Sequence, residues 1–333
     1  MTRLRGAKYS VGIVGVGAIV LDIHLPVLLN RKDVRVLWVA DIARPCVDKA
    51  RSRFRVDAIL IESGNLVDLP DVDAILLAAP VGARESYHRE LTQRRSRIFL
   101  EKPFARTRDE ARSIVSAYAG HTLICGFQRR HHPAFRKLRV LTNSGEFGAV
   151  KRIVVREGSR TMATGRSSDF RDNAAIAGGG ILMDLGCHGI DLAFQLTEST
   201  SAEILEQRVL FDGGIDRDVS LRARMVGGPS EVELRVELSW LRELGREFRV
   251  EFERGALHVG TQPQDRLIVT RAQSEVNPED LVLSPGPATT WEAISAMWSI
   301  LLPEHGQPAA CPNPTGYLPT VDLIEAIYTN ARR

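Results

Sequence analysis

The sequence contains few cysteines, few lysines and no long apolar run. Its four cysteines, Cys46, Cys125, Cys187 and Cys311, stand far apart and form no Cys-x-x-Cys pair. This spacing argues against a zinc or disulfide framework and predicts reduced thiols in a cytoplasmic protein. No segment reaches the roughly 18 consecutive apolar residues that a membrane span requires. We therefore expect no membrane partner and no metal centre built on cysteine.

A strong excess of charge of either sign is also missing. The 44 basic and 41 acidic residues give a net charge of +3, and the basic side chains are scattered along the chain. A nucleic-acid partner is therefore not expected. The chain has 333 residues, of which 44% are hydrophobic, whereas single cores stop growing near ~250 residues. This combination predicts two folded domains.

The first predicted domain covers residues 1–124 and has the pattern of a Rossmann-type fold. Short apolar runs alternate with charged helical stretches, which is typical of parallel strands joined by crossover helices in a doubly wound α/β domain. The predicted strands are Ser10 to Val14, Val34 to Ala40, Ala74 to Ala79, Ile98 to Leu100 and Thr122 to Phe127.

The second predicted domain, residues 125–333, has a different periodicity. Apolar and polar residues alternate strictly from Glu231 to Trp240, and the alternation recurs around Leu221 and Val250. It predicts an α+β domain with a large, mainly antiparallel, open-faced sheet that has one apolar face and one charged face. The charged face is either simply solvated or a polar dimer interface. The proline-rich stretch from Thr261 to Thr290 is expected to be a long loop.

A Gly-x-Gly turn follows the first predicted strand, at Gly15 and Gly17. Gly15 permits a tight turn, and Gly17 lets the backbone approach a pyrophosphate at a helix N-terminus. The third glycine of the usual fingerprint is replaced by Val20. Asp41, at the end of the second strand, lies where an acid would bind the adenosine ribose and repel the 2'-phosphate of NADP. NAD is the expected cofactor, although Arg44 leaves NADP open.

Glu101-Lys102-Pro103 directly follows a predicted strand, at the sheet edge where such folds bind ligands. Lysine occurs at only six positions in this arginine-rich chain. A compact ammonium that can lose its proton suits a catalytic site better than a guanidinium does. Lys102 is therefore either a catalytic lysine or an ordinary surface lysine after a strand.

Three consecutive glycines, Gly178 to Gly180, precede a predicted helix that carries Asp184 and His188. These two residues are four apart and share one helix face, so the carboxylate can orient the imidazole and raise its basicity. A histidine satisfied in the core is one alternative. A metal pair with Asp191 is another, and no metal is expected because no further ligand cluster is apparent.

Together these motifs resemble the Gfo/Idh/MocA family, which includes glucose-fructose oxidoreductase and inositol dehydrogenase. The resemblance runs nearly from end to end, and its specific parts are Glu101-Lys102-Pro103 and the glycine-rich block with Asp184 and His188. It implies an NAD-dependent oxidoreductase that acts on a sugar, a sugar acid, a nucleotide sugar or a cyclitol. It also implies a homodimer or homotetramer.

By this resemblance Lys102, Asp184 and His188 would form the catalytic site, with Gln128 beside the nicotinamide. The residues expected to bind the cofactor are Gly15, Gly17, Ala18, Ile19, Asp41, Ala79, Pro80, Glu101, Lys102 and Gln128. Three positions depart from the family pattern, namely Val20, Ala79 and Arg84. We expect Val20 to affect packing above the pyrophosphate, and the other two to alter the edge of the pocket.

The expected chemistry is hydride transfer from an alcohol carbon to the nicotinamide, with His188 accepting the hydroxyl proton. Lys102 would stabilise the developing alkoxide, although the two roles could be exchanged. Arg130, Arg160 and Arg171 are candidate contacts for an acidic or phosphorylated sugar. Two other functions stay open: an NAD-dependent glycosidase that oxidises and re-reduces one sugar, and a non-catalytic NAD-binding regulator.

Overall fold

The computed structural model describes residues 8–62, 64–160, 173–261, 266–272, 278–282, 290–303 and 313–332. The chain divides into two compact units. The first comprises residues 1–126 and 290–316, and the second comprises residues 127–289 and 317–333. The sequence pattern predicts instead that all residues from 125 to 333 belong to the second domain. The segment 290–316 thus returns to the first unit.

The described ranges contain strands and helices that we number in chain order. The strands are β1 (Tyr9–Val14), β2 (Val34–Asp41), β3 (Ala58–Leu60), β4 (Ala74–Leu77), β5 (Arg97–Leu100), β6 (Leu123–Cys125), β7 (Val150–Gly158), β8 (Ser201–Asp212), β9 (Ile215–Val226), β10 (Val232–Ser239), β11 (Gly245–Phe252), β12 (Gly255–Val259), β13 (Arg266–Arg271) and β14 (Glu279–Val282). The α-helices are α1 (Leu25–Asn30), α2 (Arg44–Phe54), α3 (Glu85–Leu91), α4 (Arg108–Ala117), α5 (Pro133–Asn143), α6 (Ala174–Ala177), α7 (Cys187–Thr197), α8 (Thr290–Leu301) and α9 (Leu318–Ala331).

The first unit is built on a six-stranded parallel sheet with the order β3-β2-β1-β4-β5-β6. This confirms the doubly wound fold, whose strand order reverses between β1 and β4. The central strands are almost entirely apolar because both faces of such a sheet are covered by helices. From the returning segment, α8 contributes Trp298, which is fully buried and lies 4.9 Å from the ring of Phe99 on β5.

The second unit is built on an eight-stranded sheet with the order β14-β13-β12-β11-β7-β10-β9-β8. Among the described strands of this second sheet, only β7 and β10 pair in parallel, and the other pairs are antiparallel. The predicted mainly antiparallel sheet is therefore confirmed. The alternating apolar side chains of β10 are buried, while its other face carries charge. On that face Arg152 of β7 lies between Glu233 of β10 and Glu251 of β11, at 2.7 and 2.8 Å.

The prediction of a long loop from Thr261 to Thr290 is wrong in part, because β13 and β14 lie within this stretch. Leu267 and Val269 of β13 are buried at 0% and 2% exposure, and Ile268 between them is half-buried. Three consecutive apolar residues inside a polar stretch are too few to mark a strand in the sequence. None of the helices in the described part of the chain has the length and hydropathy of a membrane span.

Candidate active site

The turn after β1 contains two glycines with different surroundings. Gly15 has a φ of +86°, and a Cβ atom there would lie 2.7 Å from the backbone nitrogen of Ala79. Apart from its two chain neighbours, no atom of the described residues lies within 4 Å of the place where a Cβ of Gly17 would be. Gly15 is therefore required by the protein's own packing, whereas Gly17 leaves open space at its surface. The helical residues begin directly afterwards, at Ala18 and Ile19.

Val20, which replaces the third glycine of the fingerprint, is fully buried in the apolar core of the first unit. It begins a π-helical turn, Val20–His24, that continues into α1. The valine side chain is thus accommodated by the core. The extra width of a π turn is a local irregularity that is frequent at functional sites.

Asp41 ends β2 and binds the glycine turn directly. Its Oδ2 accepts a hydrogen bond from the backbone N–H of Val16 at 2.6 Å, and its Oδ1 accepts one from Ala43 at 2.7 Å. Two backbone donors hold this carboxylate in place beside Gly15 and Gly17. Arg44, three residues after Asp41, is the first residue of α2, and its side chain is exposed to solvent.

The Lys102 segment follows β5 and is held through its main chain. The Lys102–Pro103 peptide bond is cis. Arg84, which is 2% exposed, donates to the carbonyl oxygens of Ala79 at 2.8 Å, Pro103 at 2.7 Å and Lys102 at 3.3 Å. Burial lowers the pKa of Arg84 to about 10, so the guanidinium stays charged at neutral pH. Arg84 therefore ties the segments after β4 and β5 together.

Glu101, next to Lys102, is 6% exposed and is bonded within the protein. Its Oε1 lies 2.9 Å from Nε2 of His24, and its Oε2 accepts the backbone N–H of Lys102 at 3.1 Å. Trp298 donates from its indole nitrogen to Nδ1 of the same histidine at 3.0 Å. Neither His24 nor Trp298 is among the site residues that the sequence predicts.

In the second unit, each of the three consecutive glycines occupies a position where a side chain would not fit or would strain the backbone. Gly178 ends α6 with a φ of +81°. A Cβ on Gly179 would lie 2.1 Å from the hydroxyl of Tyr328, and one on Gly180 would lie 2.0 Å from the backbone oxygen of Asp216. The glycines therefore allow two close approaches of the backbone that no other residue would permit.

Asp216, on β9, caps the start of the helical segment that follows these glycines. Its carboxylate accepts hydrogen bonds from the backbone N–H groups of Gly180 and Leu182, the latter at 2.8 Å, and from the hydroxyl of Tyr328 at 2.8 Å. Burial raises the pKa of Asp216, against the opposing effect of these three donors. Sequence reasoning missed this residue, because nothing local to β9 marks it.

Asp184 and His188 lie on successive turns of that helical segment. Asp184 is in a π-helical turn, Leu182–Gly186, and is partly exposed, while His188 is in the first turn of α7 and is 3% exposed. The imidazole packs edge-on to the ring of Phe127 at 5.9 Å. Lys102 belongs to the first unit, and Asp184 and His188 belong to the second. Their convergence on one substrate oxygen stays a prediction.

The predicted substrate arginines have different surroundings. Arg130, two residues after Gln128 in the segment Gln128–His131, donates to both carboxylate oxygens of buried Asp191. Arg129 makes a similar two-bond pair with buried Glu157, at 2.8 and 3.1 Å. Arg160 is exposed and donates to the carbonyl oxygen of Leu241. Arg171 lies outside the described residues.

Comparisons with solved structures support the fold. A 3-ketoreductase, KijD10 from Actinomadura kijaniata in complex with NADP and TDP-benzene, aligns over 96% of this chain and 97% of that one, with 19% identity and a TM-score of 0.78. An aldose-aldose oxidoreductase from Caulobacter crescentus, complexed with glycerol, aligns over 98% of both chains with 20% identity and a TM-score of 0.80. At such identities the likeness concerns the fold alone.

Sequence relatives and family models agree with this fold. The chain is 26% identical over 195 residues to an uncharacterized oxidoreductase, YrbE of Bacillus subtilis, and 33% identical over 142 residues to an inositol 2-dehydrogenase of Acidothermus cellulolyticus. The matched segments span 58% and 41% of this chain, and 55% and 41% of those relatives. Residues 9–128 match the oxidoreductase family with an NAD-binding Rossmann fold, and residues 135–258 match the GFO/IDH/MocA C-terminal domain. The chain therefore belongs to the Gfo/Idh/MocA family of oxidoreductases.

Proposed function

We propose that this protein is an NAD-dependent oxidoreductase that transfers a hydride between the nicotinamide and a secondary alcohol or ketone carbon. The substrate would be a sugar, a sugar acid, a nucleotide sugar or a cyclitol. The observation that carries the proposal is the edge of the first sheet. There the carboxyl ends of adjacent parallel strands are followed by the Gly15 turn, Asp41, Ala79 and Lys102, and ligands of doubly wound folds bind at this edge.

The first unit has the features that a dinucleotide needs. Gly17 and Ala18 are exposed at the start of a helix, and the space where a Cβ of Gly17 would lie is open. A pyrophosphate there would receive backbone N–H groups and the positive end of the helix dipole. Asp41 would bind the adenosine ribose, while Ala79, Pro80 and Glu101 would border the cofactor from the ends of β4 and β5. Ile19 and Gln128 belong to the same proposed set.

NAD is the cofactor we favour over NADP. A carboxylate fixed by two backbone amides cannot turn away from a 2'-phosphate, so Asp41 would repel NADP. The crystal structure of KijD10 contains NADP, and the exposed Arg44 could receive a 2'-phosphate. The two cofactors are therefore to be compared directly.

The proposed chemistry uses the chain's own groups to move one proton. A bound nicotinamide would supply the hydride acceptor, and His188 would take the hydroxyl proton of the substrate alcohol. Lys102 donates a hydrogen bond to the same oxygen and stabilises its developing negative charge. Asp184 orients the imidazole. The roles of Lys102 and His188 are open to exchange, because a cationic nicotinamide disfavours a second positive charge nearby.

The substrate contacts and the assembly belong to the same proposal. Arg160 is the exposed candidate for an acidic substrate group, and Arg171 is a second. Arg130 is less suited to that role, because it is held by Asp191.

A homodimer or homotetramer would bury the charged face of the second sheet. The wide spacing of the four cysteines, with no Cys-x-x-Cys pair, suits a cytoplasmic location.

The test is a panel of sugars, sugar acids, cyclitols and nucleotide sugars, scored by NADH absorbance with NAD and with NADP. We expect at least one polyol class to produce NADH, with NAD preferred. Cleavage of a glycoside without net formation of NADH would instead support the glycosidase alternative. Cofactor binding without turnover of any compound would support the regulator.

A further inference from the structure

A fully buried histidine lies behind the Lys102 segment in the first unit. His24 has 0% exposure, although histidine and its partner Glu101 are both costly to bury. Its ring packs edge-on against Phe99 at 5.0 Å and against Trp298 at 6.1 Å. Both ring nitrogens have hydrogen-bond partners, Glu101 and Trp298. The fold thus retains a polar chain of three side chains where aliphatic residues would have filled the space.

The partners fix the protonation state of His24. An indole N–H can only donate, so Nδ1 of His24 must accept and carries no proton. The single proton of the neutral ring is then on Nε2, which donates to Oε1 of Glu101 at 2.9 Å. An imidazolium would place an N–H against the indole N–H of Trp298. The chain of donors therefore runs in one direction, from Trp298 through His24 to Glu101.

The fixed carboxylate of Glu101 holds the main chain of the next residue, Lys102. Its second oxygen accepts the backbone N–H of Lys102 at 3.1 Å. A Cβ on Gly126 would lie 2.8 Å from Oε1 of Glu101, so the glycine lets the backbone pack closely against the carboxylate. On the other side, Arg84 donates to the carbonyl oxygen of Lys102. The main chain of Lys102 is held at both its N–H and its C=O.

We propose that His24 is a positioning residue for Lys102, held by Trp298 as one neutral tautomer that fixes the Glu101 carboxylate. This inference rests on the proposed function, because it matters for catalysis only if Lys102 contacts the substrate. His24 would act through Glu101 and the backbone and would not touch the substrate. A shift of about 1 Å in a reacting group can cost ~10²-fold in rate, so the loss of such a support is measurable.

The experiment compares His24→Leu with His24→Gln in the full chain. A glutamine can accept from Trp298 with its oxygen and donate to Glu101 with its amide, whereas leucine can do neither. We expect His24→Leu to lower kcat by about 10- to 100-fold, with KM for NAD nearly unchanged, and His24→Gln to recover most of kcat. His121→Leu is the matched control, since that ring bonds the carbonyl of Arg94 and touches neither Glu101 nor Lys102.

A second measurement does not depend on turnover. In the ¹⁵N NMR spectrum of protein labelled with ¹⁵N-histidine and without cofactor, His24 should show a neutral ring with its proton on Nε2. In Trp298→Phe, the His24 ring should exchange between its two neutral tautomers. Should His24→Leu fail to fold, Trp298→Phe serves in its place, with a smaller loss of kcat expected.

The inference is overturned if the wild-type ring carries its proton on Nδ1 or on both nitrogens. It is also overturned if a folded His24→Leu or Trp298→Phe keeps wild-type kcat while Lys102→Met loses it. Normal turnover by Lys102→Met would instead refute the proposed catalytic role of Lys102, and absence of turnover by the wild type with every compound of the panel would refute the proposed function. The tautomer of His24 would still be read from the spectrum.

Discussion

The hydroxyl of Tyr328 on α9 donates to the carboxylate of Asp216 on β9, beneath the glycine turn that starts the helical segment of His188. The two residues are 112 positions apart in the sequence. Their bond connects the last helix, the sheet and the proposed catalytic helix within the second unit. Gly179 permits it, because any side chain there would overlap the Tyr328 hydroxyl.

Tyr328→Phe should therefore destabilise the protein. The substitution removes one of the three hydrogen bonds that the Asp216 carboxylate accepts from Gly180, Leu182 and Tyr328, and a hydrogen bond to a charged group contributes about 1.5–3 kcal/mol to the free energy of unfolding. Urea denaturation measures the change. Tyr87→Phe is the matched control, since Tyr87 is also buried but makes no hydroxyl hydrogen bond among the described residues. Equal stability of the two variants would show that the Tyr328 bond contributes nothing.

The two glycines of the first turn should respond differently to alanine. Gly15→Ala places a Cβ 2.7 Å from the backbone of Ala79 at a φ of +86°, so it should destabilise the fold, by about 1–3 kcal/mol for the backbone strain alone. Gly17→Ala meets no protein atom and should leave the melting temperature unchanged. It should nevertheless weaken NAD binding, because the methyl group would occupy the space proposed for the pyrophosphate. Calorimetric titration with NAD measures this, and wild-type affinity in Gly17→Ala would contradict the proposed cofactor position.

Lys102→Met and His188→Ala should lower turnover by about 10²–10⁴-fold while leaving NAD affinity within a small factor of the wild type. The reason is that both groups are proposed to act chiefly on the reacting oxygen, while the glycine turn and Asp41 are proposed to hold the pyrophosphate and the adenosine ribose. Lys32→Met is the control for loss of a lysine, since Lys32 is exposed in the turn before β2, at the opposite edge of the same sheet. Steady-state kinetics with the substrate found in the panel give the comparison. Normal turnover by both variants would refute the assignment.

Asp41→Ser should shift the cofactor preference toward NADP. Removing the carboxylate removes a like-charge repulsion of several kcal/mol against the 2'-phosphate, so the ratio of kcat/KM for NAD to that for NADP should fall by more than ~10-fold. Asp48→Ser, on the exposed surface of α2, changes the net charge equally and should leave the ratio unchanged. A ratio that does not respond in Asp41→Ser would mean that another residue selects the cofactor.

The sequence predicted the parts of this structure that are encoded locally. The apolar runs of β1, β4 and β5 and the alternation along β10 are visible within ten residues, so both sheets could be predicted. β3 has only three residues, and β13 lies in a polar stretch, so neither had a pattern long enough to detect.

The candidate site shows the same limit. Lys102 and the glycine turns carry local motifs, but their supports do not. Trp298 reaches His24 across 274 positions, and Asp216 reaches Gly180 across 36. Arg84 departs from the family pattern and gave the expectation of an altered pocket edge. Its role in binding three carbonyl oxygens depends on a fold that brings the ends of β4 and β5 together.

Stability should fall at mildly acidic pH because of buried histidines. Burial, reinforced by Arg129 and His131, lowers the pKa of His132 to about 4, and burial likewise lowers the pKa of His88 to about 4. The unfolded value is about 6.5. Since the folded pKa lies below the unfolded one, each ring contributes stability that is present above about pH 6.5 and is lost as pH falls toward about 4.

Near pH 5, unfolding should therefore take up about one proton for each such histidine, which corresponds to about 1.4 kcal/mol per pH unit for each ring. His132→Gln should reduce this uptake by about one proton, and His88→Gln in the other unit should do so independently. His132 makes no side-chain cap bond to α5, so its replacement removes no such support. Urea denaturation between pH 4.5 and 7.5 measures the slope. An unchanged slope in both variants would show that these rings are protonated in the folded protein, contrary to their burial.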